Sequence, residues 1–325
     1  MNCNLPPQND LVTDLNEMPV RLPKPPWLKI QRQGGAEYNN MKRLIRTSSL
    51  NTVCESANCP NRGECFSSRT ATFMLLGNVC TRHCTFCNIP GGRVLPVDSD
   101  EPRRVAEAVA ELELKFAVVT AVNRDDLPDG GAAHFAATIR QIRRHNPGCG
   151  VEVLIPDFMG DPLALEKVLS AAPEVLNHNL ETAPRLYQEM RPQAVYLRSL
   201  QVLKRSRQWS DDYAVDVRIK TGIMVGVGET HDEVVQVMHD ALDHGVQIMT
   251  IGQYLQPSAK HHPVLRYVDP AEFDEYAKIG LEMGLEWVES GPMVRSSYHA
   301  REQSDGVVSD TKTPAAASAP RAEAG

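Results

Sequence analysis

Six of the eight cysteines fall into two neighbouring triplets, Cys54-x4-Cys59-x5-Cys65 and Cys80-x3-Cys84-x2-Cys87. Any fold for this chain must bring each triplet together and shield it. The second triplet, in the run CTRHCTFC, supplies three thiolates to a cube-shaped iron–sulfur cluster that has four ligand positions. One iron is then left open to a small molecule, and an open iron is a reactive site. Zinc held by these cysteines together with His83, or structural disulfides, are the alternatives that spacing alone leaves standing. Tetrahedral zinc sites usually pair C-x2-C with a distant second pair, which is not the pattern here. Disulfide staples serve small secreted domains, whereas this chain of 325 residues has room for a substantial core.

The rest of the composition narrows the partners. A net charge of −7 and a pI near 5.8 argue against a nucleic-acid or anionic-membrane surface, which is normally met with a basic face. The opening MNCNLPPQND lacks the charged start and apolar run of a secretory signal, and no segment reaches the length of a membrane span. A cytoplasmic enzyme, with its thiols in a reducing compartment, is the expectation. Cys3 and Cys149 have no spacing partners and read as incidental.

Hydrophobic patterning divides the chain. Residues 1–23 and 303–325 are rich in Pro, Ala, Ser and polar residues without apolar periodicity and read as disordered ends. Residues 24–70 form an extension carrying the first triplet, with Trp27 and Leu28 as anchors. From residue 71 to 290, short apolar strands alternate with amphipathic helices, as a parallel sheet requires. The strands fall near Thr72–Leu76, Phe116–Ala121, Val151–Pro156, Val175–Asn177, Val215–Met224 and Val246–Ile251. The helices fall at Pro102–Leu112, Ala132–His145, Pro162–Ala172, Ala183–Met190, Tyr196–Gln208, Glu233–His244 and Pro270–Met283. Asp100-Glu101-Pro102, Asp161-Pro162 and Asp269-Pro270 are helix-start signals. The prediction is an α/β fold, a partial (β/α)6 barrel, with its site at the carboxyl ends of the strands. CTRHCTFC follows the first of these strands, and residues 291–302 form a separate C-terminal segment containing RSSY.

With that placement, CTRHCTFC resembles the cysteine motif of the radical S-adenosylmethionine superfamily. The resemblance implies that the open iron chelates S-adenosylmethionine and that electron transfer splits the sulfonium, giving a 5′-deoxyadenosyl radical that takes hydrogen from an unactivated carbon. The cofactors carry that chemistry, and the protein positions them and excludes water. Phe86 is then a shielding residue, or simply packing. Gly222, Gly226 and Gly228 in TGIMVGVGET would let backbone approach the adenosine closely, or form a plain turn. Thr120 and Asn123 resemble residues that meet the methionine moiety. Glu181 either faces the ribose or caps the next helix.

A narrower resemblance covers the chain from about Lys24 to Ala300. TVCESANCPNRGECF, FMLLGNVCTRHCTFC, TAVNRDDLPDGGA, TGIMVGVGET and GPMVRSSYHA occur in the order seen in lipoyl synthases. Phe66 stands where Trp is common and Asn78 where a small or acidic residue often sits. This resemblance implies a second, auxiliary 4Fe-4S cluster on Cys54, Cys59, Cys65 and Ser296, the last an unusual and labile alkoxide ligand. Cys80, Cys84 and Cys87 then hold the first cluster. It implies a sulfurtransferase that places one sulfur on C6 and one on C8 of a protein-bound octanoyl-lysine, with the auxiliary cluster as sulfur donor. Arg295 would help displace the serine, or else form a surface salt bridge. The implied partners are octanoylated lipoyl-carrier domains (2-oxoacid dehydrogenase E2 subunits and the glycine cleavage H protein), a ferredoxin or flavodoxin reductant and an iron–sulfur carrier. Two rivals stay open at this point. Another radical enzyme would share C-x3-C-x2-C but lack the C-x4-C-x5-C and RSSY pair, and an iron–sulfur electron carrier would leave the barrel pattern unexplained.

Overall fold

The computed structural model describes residues 22–28, 34–57, 59–67 and 71–306. Eight strands form one sheet in sequence order: β1 Asn51–Thr52, β2 Thr72–Leu75, β3 Phe116–Ala121, β4 Gly150–Leu154, β5 Val175–Asn177, β6 Arg218–Val225, β7 Ile248–Gln253 and β8 Trp287–Gly291. β1 pairs antiparallel with β2; every later neighbour is parallel. β2 and β8 do not pair, so the barrel is open. All six β/α units expected from the sequence are present. A seventh parallel strand, β8, extends them; its WVESG is short, polar and only half buried, and carries neither alternation nor a continuous apolar run. By contrast β2, β5 and β7 are buried at every residue, as strands covered on both faces are.

The helices in chain order are α1 Ala36–Thr47, α2 Val53–Ser56, α3 Arg62–Ser67, α4 Glu101–Glu111, α5 Ala132–His145, α6 Pro162–Leu169, α7 Tyr187–Met190, α8 Tyr196–Tyr213, α9 His231–Asp243, α10 Pro270–Met283 and α11 Ala300–Gly306. Asp161 and Asp269 cap α6 and α10 by accepting from Leu163 N and Ala271 N. Asp100 makes no cap bond; its carboxylate is taken by Arg103 and Arg104 instead. The helix expected over 183–190 is broken: Pro184–Leu186 is a 3-10 turn, followed by the single turn of α7.

The N-terminal extension packs on the barrel through Met41, Leu44 and Ile45 of α1, with Tyr38 against the fully buried Phe66 at 5.7 Å. Leu28 is buried as an anchor, whereas Trp27 stays exposed. At the other end α11 continues past Gln303, whose buried side chain donates to Tyr298 O at 2.8 Å, so residues 303–306, expected as part of a disordered end, are helical. The disordered ends expected from the sequence otherwise lie outside the described residues. Among those residues, no helix is long and apolar enough to cross a membrane.

Candidate metal and cofactor site

The C-x3-C-x2-C triplet sits on the loop that leaves β2. The chain turns out of the strand through Leu76 (φ 66°) and Gly77 (φ 93°), and Leu76 N is held by the buried Glu101 carboxylate at 2.8 Å. Cys80 N donates to Pro90 O and Gly92 N to Cys80 O, closing the loop on itself. Thr81 ties it to β3 through two bonds to Asn123 O. Between the first two cysteines, Arg82 is only 3% exposed and ion-paired to Asp125 at 2.6 Å and Asp157 at 2.7 Å, while Asp157 also pairs with Arg198 at 3.1 Å. Burial pushes the Asp157 carboxyl up, but the hydrogen bond and charge of Arg82 outweigh it and hold it down at about 2. The far side of the loop is fixed by the β7–α10 connection. His262 N donates to Thr85 O, and His261 Nε2 lies 3.0 Å from Cys87 O. Sequence pattern does not single out Arg82, Asp125 and Asp157, because no spacing announces a tertiary ion pair.

Cys54 lies in α2 and Cys65 in α3, with Cys59 on the turn between them. Asn88, just beyond Cys87, donates to Ser56 O at 2.9 Å and so joins the two triplets. The segment after β8 reaches the same place. Asn61 Nδ2 donates to Met293 O at 2.8 Å, and Thr72 Oγ1 donates to Ser297 Oγ at 2.9 Å. Ser296 Oγ has no protein hydrogen bond among the described residues. Gly252 of β7 admits this segment: a Cβ there would stand 2.2 Å from Val294 O. Arg295 makes no ion pair among the described residues. It donates to Val294 O, and the charge it senses is that of Cys59.

One cavity of about 700 Å³ spans both groups, in the size range of ligand pockets. Cys54, Cys59, Cys80, Cys84, Cys87 and Ser296 line it, as do Phe86, Thr120, Asn123, Glu181, Gly222 and Arg295. Cys65 stands behind the wall, within electrostatic reach of Cys54 and Cys59. Gly226 and Gly228 do not line it. The positive φ of Gly226 (94°) serves packing instead, since a Cβ would meet Gln253 Nε2 at 2.2 Å and Arg266 O at 2.5 Å. Glu229 locks that turn by accepting from Gly226 N and Val227 N. Glu181 adopts φ 68°, an uncommon backbone for a residue with a side chain, and burial pushes its carboxyl up. It accepts from Asn179 Nδ2 and does not cap the following turn. Buried polar atoms without a protein partner, Asn179 Oδ1, His178 Nε2 and Arg191 Nε, belong to residues of the same wall. Such atoms favour a polar ligand.

The donor set fits iron–sulfur clusters. The seven described cysteines are free thiols, which removes the disulfide alternative. Burial pushes Cys54 up to about 11 and Cys65 and Cys87 to about 12, so bound metal must supply the charge that ionises them. No three His, Cys, Asp or Glu side chains among the described residues converge on one metal-sized point.

The radical SAM superfamily model matches residues 74–241. The lipoyl synthase of Rubrobacter xylanophilus is 55% identical over 87% of this chain and 87% of its own. That of Roseiflexus sp. is 56% identical over 86% and 92%. The chain belongs to the lipoyl synthase family. Lipoyl synthases are radical SAM sulfurtransferases, and the cofactors are S-adenosylmethionine and two 4Fe-4S clusters. Solved structures of lower identity match the fold alone. The hydrogenase maturase HydG superposes with a TM-score of 0.54 at 16% identity over 84% of this chain and 67% of that one. SuiB of Streptococcus suis, bound to its precursor peptide, gives 0.53 at 8% over 71% of this chain and 50% of that one.

Proposed function

We propose that Cys80, Cys84 and Cys87 hold the cluster whose open iron takes S-adenosylmethionine, and that Cys54, Cys59, Cys65 and Ser296 hold the cluster that surrenders sulfur. The observation that carries this reading is the one cavity lined by Cys80, Cys84 and Cys87 and also by Cys54, Cys59 and Ser296, with the Asn88 to Ser56 bond between the two groups. Clusters held by these two groups would face the same cavity, so a substrate chain entering it would meet both. Ser296 is preferred over Ser297 because the Ser297 hydroxyl is engaged by Thr72. When bound, the reduced first cluster supplies the electron that splits the sulfonium and generates the hydrogen-abstracting radical.

The protein's own residues bind and shield. Phe86 packs with Leu186, Met190, Val227 and Tyr254 in an apolar group beside the loop and keeps water from it. Thr120, Asn123, Glu181 and Arg191 present polar groups to the nucleoside and amino-acid ends of S-adenosylmethionine. The residue spans 24–70, 71–290 and 291–302 act as auxiliary-cluster extension, barrel and closing segment. The substrate is an octanoyl chain on the lysine of a lipoyl-carrier domain, from 2-oxoacid dehydrogenase E2 subunits and the glycine cleavage H protein, with sulfur delivered to C6 and then C8. A ferredoxin or flavodoxin gives electrons and an iron–sulfur carrier rebuilds the donor cluster, in the reducing cytoplasm that free thiols require. Anaerobic turnover of an octanoyl-lysine peptide with S-adenosylmethionine and dithionite, followed by mass spectrometry, tests the reading. Nucleoside cleavage without any thiolated peptide would defeat it.

A further inference from the structure

The cavity is one approach to the cysteine loop; the opposite approach is from outside, over Arg82. There β4 hands over to α6 through three successive left-handed residues, Phe158 (φ 45°), Met159 (φ 54°) and Gly160 (φ 84°). Residues with side chains held in that region cost about 1–3 kcal/mol each and persist where the surroundings impose them. Phe158 is the buried peg, edge-on to Phe135 at 6.4 Å, and Met159 is turned outward, 57% exposed. Leu163 at the start of α6 is 71% exposed, and Val195 and Leu197 at the start of α8 are 45% and 69% exposed. All four stand at the carboxyl end of the barrel, where α6 packs on α8 and α8 on the 158–160 turn. They flank the cluster loop directly. Met159 Sδ accepts from Arg82 Nη2 at 3.1 Å, and Arg82 N donates to Cys80 Sγ at 3.4 Å, so one side chain separates this surface from the thiol. His83 N is likewise bonded to Gln193, two residues before Val195.

Two cations of α8 stand at the edge of the patch, while the exposed Asp125 beside it is neutralised by Arg82. Arg205 bonds to Gly160 O, and neither it nor the exposed Lys204 on the next position of α8 has a carboxylate partner among the described residues. Apolar tips flanked by two cations without a carboxylate partner among the described residues complement a small acidic protein, and redox encounters need only a small interface.

We propose that the Met159, Leu163, Val195 and Leu197 tips, with Lys204 and Arg205, are the docking surface for the acidic electron-transfer protein that reduces the cluster on Cys80, Cys84 and Cys87. In the encounter the donor's flavin hydroquinone loses one electron and the oxidised cluster gains it. This rests on the assignment of that cluster under Proposed function, and its test is built to fail separately.

Leu197→Glu and Lys204→Glu change exposed α8 positions that touch neither cavity nor loop. Anaerobic stopped-flow mixing of the cluster-loaded protein with reduced flavodoxin reads cluster reduction from its visible absorbance, without reliance on turnover. Each variant should be reduced about tenfold more slowly by flavodoxin, with a weaker salt dependence for Lys204→Glu, and at the wild-type rate by dithionite. Flavodoxin rates equal to wild type would overturn the docking surface. So would equal slowing with dithionite, or a wild-type protein that flavodoxin does not reduce. If dithionite-reduced wild type fails to cleave S-adenosylmethionine, the functional reading itself falls, whatever the flavodoxin rates.

Discussion

Gly252→Ala is the sharpest perturbation of the closing segment. The new Cβ would stand 2.2 Å from Val294 O, 3.1 Å from Val294 C and 3.4 Å from Arg295 Nη1. A carbon and a carbonyl oxygen approach no closer than about 3.3 Å, so the segment must retreat by about 1 Å. That retreat breaks its moorings. The Asn61 to Met293 bond at 2.8 Å and the Thr72 to Ser297 bond at 2.9 Å have no slack for it. Two such bonds at roughly 1 kcal/mol each give a loss of about 2 kcal/mol, a few degrees of Tm in a protein of this size. The chemical effect is larger, because a reacting or ligating group misplaced by about 1 Å costs on the order of 10²-fold in rate. The assay is anaerobic, with 5′-deoxyadenosine and thiolated peptide quantified in the same reaction. Product should fall about 10²-fold, while nucleoside formation stays close to wild type because no hydrogen bond joins the C-x3-C-x2-C loop to the segment among the described residues. Unimpaired thiolation by the folded variant, or a parallel fall in both products, would refute the argument.

Replacing Cys80, Cys84 and Cys87 together by Ala should abolish 5′-deoxyadenosine formation while iron analysis still finds the auxiliary cluster. The Cys54, Cys59 and Cys65 triple variant should cleave S-adenosylmethionine and give no thiolated peptide; with heavy sulfide in the cluster of the native protein, label must appear in the product. Ser296→Ala should keep cleavage and lose sulfur insertion, whereas Ser297→Ala should cost about 1 kcal/mol in chemical denaturation and little activity. Asp157 sets an acid limit. Its folded carboxyl is depressed to about 2, so its stabilisation is complete above the unfolded value of about 3.9 and is lost as pH falls from there through about 2. The shift corresponds to about 2–3 kcal/mol, and Asp157→Asn should remove that part of the acid transition in circular-dichroism melts.

Much of this was legible in the sequence because it is local. The buried strands and amphipathic helices repeat with their own periods, so the six β/α units could be read off, and each cysteine triplet lies within a few residues of itself. β8 was not legible, since a strand of half-buried WVESG is defined by its pairing with β7. Gly226 and Gly228 were visible as glycines, but not the neighbour each admits; Gln253 and Arg266 beside Gly226, and Leu265 beside Gly228, are distant in sequence. Gly252 was overlooked for the same reason, although it determines how closely the 291–297 segment can lie. Arg82 was in plain view between two cysteines, and only the fold supplies Asp125 and Asp157.

The bonds from Asn61 to Met293 and from Thr72 to Ser297 impose an order on biogenesis. The three thiols of the CTRHCTFC loop lie within eight residues and emerge from the ribosome together, although the loop is moored by residues as late as His261 and His262. The auxiliary set proposed above spans residues 54 to 296, so its last member leaves the exit tunnel only when nearly all of this sequence has been made. On the proposed ligand set, loading at that site would therefore follow synthesis of the closing segment, whereas the CTRHCTFC thiols are brought together by eight residues of sequence.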